Sequence, residues 1–345
     1  MSSPSLTPCI QPNPDISGIG VQASIYAQAF LSLVSLLIFV IDGEITFEEG
    51  LAINNIVMTN ELTASALLLS AIIQARTYGL SVYHANIVLI LSWISFVPTF
   101  FIGLGNLKVG NSRNDAVRPI DPIEGRRKFR ARVGWKGFLG SQLQLMHYIA
   151  VAGFGLWVWS DVKSFGNQPQ CTPQTFVVIF GYNILVTNHG LKIAALILYG
   201  DIAVARIVIL AAIPYFIFVR SRHRERLPTP LYDDHQSIMQ GTNQDLTRKK
   251  KRTNWIIFLV AMFSIEILFV SSTEFLIRRS KDLVYPGESQ WTFGQSLAMF
   301  LVFAPLATTI GELQKGYQEL REKRRGKESQ DDELPMMNPE RLDLA

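Results

Sequence analysis

The feature that most constrains this chain is a recurring run of apolar residues, each about 20 long, the length that crosses a bilayer as a helix. One run is polar where it should not be. NNIVMTNELTASALLLSAIIQA, Asn54 to Ala75, carries Asn54, Asn55, Asn60 and Glu61. An ionisable side chain in hydrocarbon costs roughly 3 kcal/mol on insertion scales unless it faces protein or water. Glu61 therefore demands neighbouring helices, and a bundle rather than a lone anchor is the expected fold.

Composition agrees. Of 345 residues, 48% are hydrophobic and only 17% charged, against about 25% charged in soluble proteins. The net charge of +4 does not point to nucleic acid, because the basic residues sit between apolar runs, where membrane orientation accounts for them. The bilayer itself is the expected partner. The first twenty residues lack Lys and Arg, so no cleavable signal is read there and the first run serves as a signal-anchor. Ser2 in place of Gly and the RLDLA terminus carry no lipidation signature.

Seven spans are expected: Val21–Ile41, Leu51–Ala75, Leu80–Leu104, Phe138–Trp159, Gly190–Val219, Trp255–Ile277 and Trp291–Ile310. PNPDISG reads as a turn before the first, with Asp15 or Ser17 as N-cap. Before the fifth, TFVVIFGYNILVT reads as a β-hairpin turning at Gly-Tyr-Asn, the rival being a full span from Phe176 to Tyr199. The fold class is thus an all-α membrane protein with one short hairpin. It divides into an arm (1–20), a seven-helix domain (21–312) and a tail (313–345) disordered after Gly326.

Charge gives a direction. The segments 106–138, 220–254 and the tail from Glu312 hold 9, 9 and 7 Lys/Arg, against Arg76, Lys163, Arg278, Arg279 and Lys281 on the other side. That bias places the N-terminus outside and the C-terminus in the cytoplasm, with the hairpin extracellular. The two cysteines, Cys9 and Cys171, then share the oxidising side, and a disulfide between them is expected.

Helical spacing puts Asn54, Met58, Glu61 and Ser65 on one stripe. Glu266 and Thr273 share a face in the sixth span, with Glu274 beside it. Asp201 and Arg206 lie five apart in the fifth, poor spacing for a bridge on one helix, so Arg206 is expected to meet Glu61 or Glu266. Together Asn54, Glu61, Asp201, Arg206, Glu266 and Glu274 form the expected intramembrane polar cluster, Glu61 and Glu266 being the candidate catalytic acids. His84, Asn86, Ser92, Gln142, Gln144, His147 and Tyr148 add polarity, whose ordinary role is helix-to-helix hydrogen bonding. No His-x-x-x-His or Glu-x-x-His spacing indicates a metal. No phosphate loop, nucleophile elbow or repeated intramembrane arginine is present, and no cofactor is expected.

The strings PNPDISGIGV, ELTASALLLSAIIQ, LSVYHANIVLILSW, FVVIFGYNILVTNHGLK and ESQWTFGQSLA resemble a family of uncharacterised fungal multi-pass membrane proteins. The resemblance covers nearly the whole membrane part. It implies seven spans and a fungal origin, and transfers no catalytic residue. Fungal chains of this size also occur in secondary-metabolite clusters, those of the paxilline synthesis protein A type among them.

Three functions compete. The first is an accessory or biosynthetic protein for a hydrophobic, terpenoid-like metabolite, with Glu61 and Glu266 as acids kept protonated by an apolar pocket. The second is a seven-helix receptor or sensor, although neither Asp-Arg-Tyr after span three nor Asn-Pro-x-x-Tyr in span seven is present. The third is a channel or transporter, to which the lack of two matching halves is unfavourable. Which neighbour Glu61 faces separates them: Arg206 argues for structure or gating, Glu266 for acid chemistry.

Overall fold

In hydrocarbon every N–H and C=O must be satisfied within the segment, so the long apolar runs form helices. The computed structural model describes residues 8–42, 47–109, 123–224 and 241–332. They form α1 (Pro14–Ser17), α2 (Ile19–Asp42), α3 (Phe47–Thr77), α4 (Val82–Val109) and α5 (Ile123–Ser160). A 3-10 turn (Pro169–Gln174) then leads to β1 (Phe176–Ile179) and β2 (Tyr182–Leu185), followed by α6 (His189–Arg224), α7 (Gly241–Ser280) and α8 (Phe293–Asp332).

Among the described residues six stretches are long and apolar enough to cross a bilayer: Pro14–Leu37, Asn55–Thr77, Val82–Thr99, His189–Ala212, Thr253–Leu283 and Phe293–Gln318. The chain is an integral, multi-pass membrane protein. α5 occupies the place expected for the fourth span, but Gln142, Gln144, His147 and Tyr148 dilute the apolar character of its described part.

α4 is the axis of the bundle. Its apolar stretch is 83% buried, and α2, α3, α5 and α7 all pack against it. α6 leans on α5 and α8 on α2 and α3; each is only 11% buried along its apolar stretch. Leu67, Leu68, Ile87, Leu91, Phe154 and Leu276 belong to the main core.

One end of the bundle is closed by the Cys9–Cys171 disulfide, which links positions 162 residues apart. Beside it, Ile10 pairs with Val284 in a parallel bridge. The Cys9 and Ile10 N–H groups both donate to Leu283 O at 2.8 Å. Asn13, rather than Asp15 or Ser17, stands at the N-cap of α1, and no side chain caps it.

The hairpin is real and the full-span alternative is not. Phe176 pairs with Leu185 and Ile179 with Tyr182. The turn falls on Phe180–Gly181, one residue before the expected place, with φ of 48° and 83°, the two left-handed positions a type I′ turn needs. Arg279 of α7 grips it from outside, donating to Gly181 O at 2.9 Å and to the Asn183 side chain.

Helix also extends where loops were expected. α5 begins at Ile123, α7 at Gly241, and α8 continues past Gly326 to Asp332. These extensions are proline-free and rich in Arg, Lys, Glu and Gln, residues that lose little on entering a helix. Residues 110–122 and 225–240 of the basic segments lie outside the described residues.

Candidate functional site

α3 presents its polar stripe to α4 and α5. Glu61 is 1% exposed. Its Oε1 accepts a hydrogen bond from the Tyr148 hydroxyl of α5 at 3.3 Å. That hydroxyl also accepts from Gln144 Nε2 at 2.9 Å and lies 2.7 Å from Thr99 Oγ1 of α4. The Tyr148 ring packs edge-on to Phe96, centroids 4.6 Å apart. Over the ring sits Arg206 of α6, its guanidinium carbon 4.5 Å from the centroid and 5.9 Å from that of Phe96. Tyr148 touches both Glu61 and Arg206. Four helices thus meet at one phenol.

The polar interior continues. One turn along α3, Ser65 pairs with His147 Nδ1 at 3.0 Å. Asn60 donates to Ser95 O at 3.1 Å, and Thr63 to Gln28 Oε1 of α2 at 3.0 Å. Gln28 belongs to a buried stripe on α2, Ser24, Gln28, Ser32 and Ser35, whose last member meets Thr309 of α8 at 3.0 Å. Among the described residues, Glu61 Oε2, Asn60 Oδ1, Gln28 Nε2, Ser95 Oγ and His147 Nε2 have no hydrogen-bond partner.

The expected six-residue cluster does not assemble as one. Glu61 and Arg206 meet through the Tyr148 side chain. Glu266 lies elsewhere, 0% exposed and with neither oxygen paired among the described residues, on a stretch of α7 that also buries Thr273. Glu274 is half-buried between Tyr26, whose hydroxyl is 3.3 Å away, and Arg278, 3.9 Å away. Asp201 is exposed and does not pair with Arg206, because five residues place them about 140° apart around α6. The Asn54 side chain lies outside the described residues.

A second polar network ties the disulfide end. Ser81 Oγ lies 2.7 Å from His84 Nδ1, and His84 Nε2 is 3.0 Å from Glu288 Oε1. Glu288 also accepts from the Ser17 hydroxyl and, at 2.8 Å, from Asn13 N–H. The Ser–His–Glu order has the connectivity of a hydrolase triad. However, Ser81 is 6% exposed, and its oxygen accepts the His84 N–H at the start of α4. It is a helix cap, and the network clasps α1 and α4 to the segment before α8. The sequence signal was available: Ser81 and His84 stand at N-cap spacing, though nothing in the sequence pointed to Glu288. Gln28, Thr63 and Thr99 were also missed; the Ser24-Gln28-Ser32-Ser35 spacing of four, four and three marks the α2 stripe.

Among the described residues no group of three His, Cys, Asp or Glu could hold a metal ion. No protein-family model, curated protein or solved structure matches the chain.

Proposed function

We propose that this chain is a seven-span membrane protein of the receptor or sensor type, with α5 as the seventh span. Its N-terminus is outside, its C-terminus cytoplasmic, and its origin fungal. The observation that carries the reading is the neighbour of Glu61. It faces the Tyr148 hydroxyl, whose ring carries Arg206, and not a second carboxyl group. A polar node at Tyr148 joining α3, α4, α5 and α6 resists sliding of α6 on α5 and changes when that sliding occurs, which suits a two-state element. The direction rests on the 25 Lys/Arg of the three basic segments against five on the disulfide side, and on the disulfide itself, which persists outside the cytosol. The test is a yeast reporter strain expressing the chain. Glu61→Gln and Tyr148→Phe, at wild-type abundance, are expected to shift basal output; unchanged output from both overturns the reading.

The metabolite-processing reading keeps one support, Glu266, a buried carboxyl group with neither oxygen engaged among the described residues. Such a group is suited to deliver a proton to a hydrophobic, terpenoid-like substrate. Normal metabolite output from a folded Glu266→Gln protein removes it.

A further inference from the structure

Arg206 stands about 25 Å along α6 from His189, near the middle of that helix. Its stacked face is satisfied by Tyr148 and Phe96. Its in-plane N–H donors are not: among the described residues no acceptor receives a hydrogen bond from it, and no ion pair within bridging distance joins it to Glu61. A guanidinium carries five such donors in a fork that fits a carboxylate.

The surroundings are open toward lipid. α6 packs along α5 but makes no comparable packing with α7. At one level a single indole spans the space between α6 and α7: Trp93 of α4 donates to Tyr199 Oη of α6 at 3.3 Å and stacks on Phe269 of α7 at 6.2 Å. One turn deeper along α4, Phe96 meets Arg206. On either side, Val204 and Ile207 of α6 and Ile267 of α7 are exposed.

We propose that this opening binds a single-chain, lipid-soluble carboxylic acid. Its carboxylate sits on the in-plane edge of Arg206 and its chain lies along the exposed faces of α6 and α7. Charge complementarity selects the head, because a guanidinium stacked on two rings still presents its in-plane donors in the fork that a carboxylate fits. A carboxylate there competes with the Tyr148 ring for Arg206, so binding loosens the contact between α5 and α6. That consequence rests on the sensor reading; the binding itself does not.

The test uses the purified full chain in nanodiscs of zwitterionic lipid. The probes are a bromine-substituted stearic acid and its methyl ester, and the readout is quenching of tryptophan emission. Trp93 is the reporter, isolated as the difference between wild type and Trp93→Phe. The acid is expected to quench Trp93 at about tenfold lower concentration than the ester, the worth of one charge-assisted contact. Arg206→Gln should bring the acid to the level of the ester. Arg206→Lys, which keeps charge but loses the fork, should weaken the acid about threefold and serves if the Gln protein does not fold. Equal quenching by acid and ester, or no effect of either substitution, overturns the proposal. Acid-selective binding with unchanged reporter output overturns the sensor reading alone.

Discussion

Tyr148→Phe isolates the central node, because it removes one oxygen and keeps the ring. The ring still lies beneath Arg206 and against Phe96. The missing hydroxyl strips Glu61 Oε1, Gln144 Nε2 and Thr99 Oγ1 of the partner they share at 3.3, 2.9 and 2.7 Å. Hydrogen bonds within membrane bundles average about 0.6 kcal/mol and reach about 1.7, so three amount to roughly 2 kcal/mol. Glu61 Oε2 is already unpaired, and stranding the remaining oxygen adds about 1 kcal/mol or more. The expected loss is about 2–4 kcal/mol. Equilibrium unfolding in mixed micelles of increasing dodecyl sulfate fraction, with the disulfide intact throughout, measures it. Tyr199→Phe is the internal control. It removes the single bond from Trp93 and should cost about 0.6 kcal/mol. A cycle with Glu61→Gln should show coupling of about 1 kcal/mol between the two positions. If Tyr148→Phe costs no more than Tyr199→Phe, the hydroxyl is not the node and the gating argument fails with it.

Three further outcomes follow from local geometry. Gly155→Ala would set a methyl group 2.5 Å from the Tyr199 ring, whereas nothing lies within 4 Å of one at Gly153; the first should cost about 1–3 kcal/mol and the second almost nothing, compared by the same unfolding assay. Glu266→Leu removes a buried carboxyl group without partners and should raise the thermal midpoint, by about 1–3 kcal/mol of stability; a lower midpoint would mean that the carboxyl has a partner in the bundle. Cys9 and Cys171 should resist alkylation until reduced, as mass spectrometry reads directly, and reduction should cost about 2–4 kcal/mol by freeing a loop of 162 residues.

Glu61 shows how much of the site was legible. Its burial followed from its place in an apolar run, and its stripe with Ser65 from helical spacing, because both are local properties of one helix. Its partner was not legible. Arg206 was one of two candidates, and Tyr148 was one polar residue among several, since neither spacing nor composition states which helix lies next to which. The same limit explains Glu288. It stands in a connecting segment, 204 residues from His84, and only the packing of that segment over the N-terminus of α4 makes it the hub of the disulfide end.

What the sequence determined by itself is what hydrocarbon imposes on any chain: apolar runs of spanning length become helices, and a run broken after about a dozen residues becomes a hairpin. The uneven spread of Lys and Arg and the two cysteines added an expectation of sidedness, and the pairing of those cysteines is present. What only the tertiary structure decided is which buried groups meet. Glu61 fell beside Tyr148, whose ring carries Arg206, Glu266 fell apart from both, and α6 was left against α5. Those outcomes depend on helix rotation and neighbour order, which are set by close packing summed over many weak contacts across the bundle. No single stretch of sequence carries them.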